Sequence, residues 1–199
     1  MKHLLHDGGM GDEPGHPGRW VLITYRAPRQ PSTARVSAWR RLHRLGALYV
    51  GPSTCLLPAA LADQKALAEV AEGITVAGGS IDTFGIEAFA DQAQQALVAR
   101  FNAERDAEYA EVVERAEAVV AELDRESGRG KFTFAEVEEN DAELAKLRRW
   151  MEAIGGRDHH GAAGRSRAEA AIEEAGRRLR VFTKRSADAC TGGQAEAAP

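Results

Sequence analysis

Between Pro14 and Ala62 the chain carries seven arginines and not one aspartate or glutamate. They are Arg19, Arg26, Arg29, Arg35, Arg40, Arg41 and Arg44. A guanidinium group stays charged at any working pH and offers a planar fork of N–H donors, which suits phosphate and other tetrahedral oxyanions. Such a cluster, with no carboxylate close by in sequence, would attract a nucleic-acid backbone. Backbone N–H groups in the helical turn at Ser32–Ala34 would add to an anion site. From Asp63 to the end the balance reverses, with 18 Lys and Arg against 27 Asp and Glu. The net charge of −4 therefore joins a basic head to an acidic body. The same asymmetry fits a second arrangement, in which the arginines pair with the acidic half of this chain or of another subunit.

Other groups in the chain are of types that could carry chemistry. At helical spacing Arg105 and Glu108 fall on an apolar stripe, between Phe101 and Val112. Charges on a buried stripe pair with each other or face a partner. The pair reads as a structural ion pair, with a ligand-sensing role as the alternative. Asp158-His159-His160 sits on a glycine-rich loop with no identifiable third ligand, so no metal site is expected. Cys55 reads as a small core residue of a strand and Cys190 as part of a tail, which argues against a disulfide framework or a thiolate metal site. No Gly-x-Ser-x-Gly, phosphate-binding loop or dinucleotide fingerprint is present, so neither an enzyme nor a cofactor is expected. No apolar run approaches the ~20 residues of a membrane span. The first residues contain no signal-peptide core, and a cytoplasmic protein is expected.

Residues 1–18 are rich in Gly, Pro, His and acid and read as a disordered leader. Trp20-Val-Leu-Ile-Thr-Tyr25 is a continuous apolar run of the kind found in buried central strands. Ala27-Pro-Arg-Gln-Pro31 ends it, and Ser32 or Thr33 caps a helix that runs to about Leu45 and stops at Gly46. Val36, Trp39, Leu42 and Leu45 are expected to face the sheet, with Trp39 as anchor and Arg40, Arg41 and Arg44 opposite. A hairpin over residues 47–57, a helix over 61–77 and a strand over 80–84 follow. The order β-α-β-β-α-β is the ferredoxin-like arrangement, its two helices covering one face of an antiparallel sheet. Beyond residue 88 the chain reads as three helices, broken at 127–131 and 155–164, with a capping box at Thr133 and Glu136. The expected architecture is α+β: a ferredoxin-like domain over 19–88, an antiparallel three-helix region over 89–187, and a disordered tail over 188–199.

Four stretches carry a family resemblance: residues 20–47, Phe101-Asn-Ala-Glu-Arg-Asp-Ala-Glu-Tyr109, Gly130-Lys-Phe-Thr-Phe134 and Leu147-Arg-Arg-Trp150. Together they resemble the N-terminal domain of the chromate-resistance regulator ChrB, over roughly residues 19–187. The strand–helix–hairpin part also resembles the Cas2-like domain of phenylacetate repressors. The resemblance implies a bacterial regulator of the chromate response that binds DNA. Larger members carry a further chromate-resistance domain, so a separate partner chain is expected to supply it. A Cas2-type nuclease would want an acidic metal ligand at the end of the first strand. Here Tyr25 is followed by Arg26, which disfavours cleavage.

The leading expectation is a DNA-binding regulator in which Arg40, Arg41 and Arg44 contact phosphates, Arg26, Arg29 and Arg35 assist, and the helical half forms a homodimer or reports to a partner. One alternative is an oxyanion module in which Arg29, Arg35 and the Ser32–Ala34 turn hold chromate or sulfate. The other is a non-catalytic partner subunit whose basic head docks on an acidic surface.

Overall fold

The first strand, β1 (Trp20–Arg26), alternates its apolar side chains to two covered faces, and this places it inside the sheet. The computed structural model describes residues 19–28 and 33–195, with side chains as far as residue 188. The leader, Arg29 and the capping candidate Ser32 lie outside those residues. The remaining elements are α1 (Thr33–Arg44), β2 (Leu48–Gly51), β3 (Thr54–Pro58), a 3-10 turn (Ala59–Leu61), α2 (Gln64–Val76), β4 (Ser80–Ile86), α3 (Asp91–Gly128), α4 (Phe134–Gly155) and α5 (Arg165–Ala195). The helix α5 runs past residue 187, where a tail was expected.

The sheet order is β2-β3-β1-β4, with antiparallel neighbours. Ile23 lies opposite Cys55 and Thr83, and Leu22 opposite Leu56 and Phe84. This is the ferredoxin-like topology, followed by a three-helix region. One sheet face presents Ile23, Tyr25, Cys55 and Leu57 to Ala38 and Leu42 of α1 and to Val70 and Ile74 of α2. The other presents Trp20, Leu48 and Leu56 to Phe101 and Leu97 of α3. Both faces are therefore covered, which is why β1 is nearly all apolar from Trp20 to Tyr25.

Each helix end has a local cause. Gly46 adopts a left-handed φ of +88°, which lets Ala47 N–H reach back to the Leu42 carbonyl and close α1. At the end of α2, a Cβ on Gly79 would run into the Arg26 carbonyl oxygen, so the turn into β4 needs glycine. Asp63 Oδ1 accepts from Ala66 N at 2.7 Å and starts α2. Thr133 Oγ1 accepts from Glu136 N at 3.3 Å and starts α4.

The helix α3 has 38 residues, about 57 Å at 1.5 Å per residue. Its first turns lie on the sheet and its remainder packs on α4 and α5. Tyr109, Val112, Ala116, Val119 and Leu123 bury against Leu144, Leu147 and Ile154 of α4 and Ala168, Ala175 and Phe182 of α5.

The expected packing of α1 is corrected. Trp39 is 45% exposed and Val36 41%, while Ala38 and Leu42 are buried. Val36, Trp39, Leu42 and Leu45 are spaced by three, and each step of three falls about 60° short of a full turn. That row winds around the helix instead of keeping one face. The inward face instead carries Ala38 and Leu42, which are buried, with Ala34 and Leu45 half-buried beside them.

Candidate nucleic-acid interface and the buried arginine joint

The outward face of α1 follows from its phase. At about 100° per residue, Trp39, His43, Val36, Arg40 and Arg44 fall in one arc of about 140°. Trp39, Val36, Arg40 and Arg44 are exposed and His43 is half-buried. The Trp39 and His43 rings stack with centroids 5.2 Å apart and planes 10° apart. Arg44 Nε donates to the Arg40 carbonyl of its own helix at 3.4 Å. Among the described residues neither Arg40 nor Arg44 forms an ion pair.

The other expected site residues do not share this arc. Arg41 turns towards α2, where its Nη1 donates to Glu69 Oε2 at 2.8 Å. Both partners are about half exposed, so the pair contributes roughly 0–1 kcal/mol. Arg44 lines the same shallow cleft beside that pair. Arg35 reaches back across the β1–α1 connection and donates to the Pro28 carbonyl at 3.3 Å. Arg26 is exposed at the end of β1. Arg29, expected beside them, lies outside the described residues, as does Ser32 of the proposed oxyanion turn.

Arg105 and Glu108 occupy a different place, the joint between the two halves. Arg105 is 1% exposed, and its Nε lies 3.1 Å from Glu108 Oε2. That contact is an ion pair off hydrogen-bond angle, while Nη2 donates to Glu108 Oε1 at 3.3 Å. Arg157, in the loop just after α4, donates from Nη2 to Glu108 Oε2 at 3.0 Å and from Nη1 to the Ala153 carbonyl. One carboxylate thus holds two guanidinium groups. Glu104, more exposed, lies 3.5 Å from Arg105 Nη2. The Arg105 guanidinium also sits over the Phe101 ring, 5.4 Å from its centroid. Burial and then the neighbouring Arg157 charge lower the Arg105 pKa, against the pull of Glu108 and Glu104.

The joint touches α1 through Gly46. A Cβ there would lie 3.0 Å from the Arg157 Cβ and 3.3 Å from Arg105 Nη1. Around it, Tyr109 donates to Asp158 Oδ2 at 3.0 Å, and Asp158 Oδ1 accepts from Ala162 N at 2.9 Å. His160 packs against Trp20 and Phe101 at 5.3 and 5.2 Å, and burial followed by His159 lowers its pKa. Asp158, His159 and His160 therefore serve packing and loop closure here, and no group of three potential metal ligands occurs among the described residues. Sequence reasoning missed Arg157, which sits 49 residues from Glu108 and carries no local sign of its role.

A ferredoxin-like sheet, a bundle that shares a long helix with it and an outward basic helix define a two-part α+β protein. The family model described as Protein ChrB, N-terminal matches residues 35–192, and the chain belongs to that family. The match opens inside α1 and takes in Arg40, Arg41, Arg44, Arg105, Glu108 and Arg157. No curated protein and no solved structure gives a significant match.

Proposed function

We propose that this chain is a non-catalytic DNA-binding regulator of the chromate-resistance response. It holds DNA phosphates through Arg40 and Arg44 of α1, with Arg26 and Arg35 assisting. Arg41 contributes its remaining donors while held by Glu69. The family membership supplies the regulatory context. The observation that carries the reading is the placing of Arg40 and Arg44. Both are exposed on one face of a helix that has no acidic residue, and neither forms an ion pair among the described residues. Unpaired, exposed guanidinium groups on one helix face are what a phosphate backbone requires. No helix among the described residues is long and apolar enough to cross a membrane.

The test is an anisotropy titration of a mixed-sequence duplex at several salt concentrations. Each phosphate contact adds about 0.9 to the slope of log affinity against log salt. Changing Arg40 and Arg44 together to alanine should lower the affinity and reduce that slope by about two. A double variant that binds as tightly as wild type, with the same slope, rejects the reading.

A further inference from the structure

We infer that the outward face of α1 also takes unpaired bases, with Trp39 as the stacking platform, so that its ligand is single-stranded or locally opened nucleic acid. This rests on the reading that the arginines of α1 hold phosphates. The first observation is that the fold does not use the indole. The buried face of α1 is filled by Ala38 and Leu42, and 45% of Trp39 is left to solvent. The chain's other tryptophans are placed differently: Trp20 is 1% exposed, and Trp150 is half-buried against the bundle core.

The second observation is that the ring is held. His43, one turn on, stacks nearly parallel to it at 5.2 Å, which fixes the indole against the helix. A held ring loses less conformational entropy on binding than a free one. The third is its surroundings. Arg40 and Arg44 share the arc, the helix contains no acidic residue, and Val36 extends the apolar strip. Aromatic rings set among cations form the general device for sequence-tolerant strand binding, in which phosphates meet the charges and bases meet the ring. In a B-form duplex each base face is covered by its neighbours. A flat ring on a convex helix can stack only where a strand is unpaired.

The experiment compares three labelled ligands against the full chain by anisotropy: a thymidine strand of about 12 nucleotides, within the usual ~4–16 nucleotide footprint, the same strand without bases, and a mixed-sequence duplex. Trp39→Ala should bind the thymidine strand about tenfold more weakly, as expected for one lost stacking contact. It should leave the abasic strand and the duplex unchanged, and Trp39→Phe should keep most of the affinity. Trp39 lies outside the core, so a melting curve checks that the variants stay folded. An unchanged thymidine affinity overturns the inference, and so does an equal loss on all three ligands. If Trp39→Ala instead weakens binding of an oligo-glutamate peptide as much as of thymidine, the ring belongs to an acidic protein contact and the inference falls. The phosphate reading fails separately, when Arg40→Ala with Arg44→Ala changes neither the abasic strand nor the duplex.

Discussion

Replacing Glu108 by alanine should be among the most damaging single changes outside the apolar core. Its carboxylate meets Arg105 at 3.1 and 3.3 Å and Arg157 at 3.0 Å. The side chains are 1% exposed for Arg105, 17% for Glu108 and 14% for Arg157, so water has little room to replace it. Removing one partner of a buried pair strands the other and costs about 3–5 kcal/mol. Two guanidinium groups would be stranded here, but Glu104 remains near Arg105 and is 40% exposed, which softens the loss. We expect about 3 kcal/mol. In a chain of this size each kcal/mol moves the midpoint by ~2–4 °C, so melting should shift down by about 6–12 °C. The control is Glu111→Ala, which breaks an exposed pair with Arg115 and should cost less than about 1 kcal/mol. Urea and thermal melts of both variants decide the matter. Adding Arg105→Met to Glu108→Ala should recover part of the loss, because it removes a stranded charge. If Glu108→Ala melts within about 1 kcal/mol of wild type, the carboxylate does not hold the joint and the argument from burial is wrong.

Gly46→Ala combines a left-handed φ of +88° with a Cβ pressed to 3.0 Å from that of Arg157, and should cost about 2 kcal/mol in a urea melt. Thr133→Ala removes the cap that accepts from Glu136 N and should cost about 1 kcal/mol. Burial pushes the Cys55 thiol up to about 12. In a Cys190→Ser background it should therefore resist an aromatic disulfide reagent at neutral pH and react once urea unfolds the chain. His160 faces Trp20, Phe101, His159 and Asp158, and its pKa is lowered from 6.5. The unfolded chain takes up a proton that the folded one does not, so stability should fall as pH drops through 6.5. His160→Phe should flatten that dependence, and an unchanged slope would remove His160 from the account.

Much of the architecture was legible because local rules and tertiary structure agree. The apolar run at Trp20–Tyr25, the glycines at 46 and 78–79 and the cap at Thr133 each mark an element boundary or centre that the structure contains. The failure at Trp39 is physical. A twelve-residue helix with only a few apolar positions admits more than one stripe, and rows spaced by three drift around the axis. Ala38 and Leu42 take the buried positions, and the indole of Trp39, one step of about 100° from Ala38, turns outward. The contribution of α3 to the sheet was hidden for another reason. Leu97 and Phe101 sit in one continuous helical pattern with the bundle residues, and nothing in the period shows where the helix changes partner. Arg157 was hidden because its partner lies far away in sequence.

The pairing state of the arginines was partly written in their own helices. Arg115 and Arg125 of α3, Arg129 at its C-cap, and Arg165, Arg177 and Arg178 of α5 each have a glutamate three or four residues away and meet it, while Arg100 of α3 and Arg148 of α4 have one four residues on and form no ion pair with it. Those are the spacings at which helical side chains are neighbours. The helix α1 offers Arg40 and Arg44 no such residue, so any partner had to come from elsewhere in the fold. The fold supplies one carboxylate, Glu69 of α2, and its position on the adjoining helix selects Arg41. Among the described residues the acidic bundle supplies none to α1, and its own carboxylates instead hold many of its own arginines. The acidic body thus matches many of its charges within its own helices, whereas among the described residues α1 has the Arg41–Glu69 pair alone. That difference leaves Arg40 and Arg44 beside an exposed Trp39 as the cationic, aromatic surface of the sheet half.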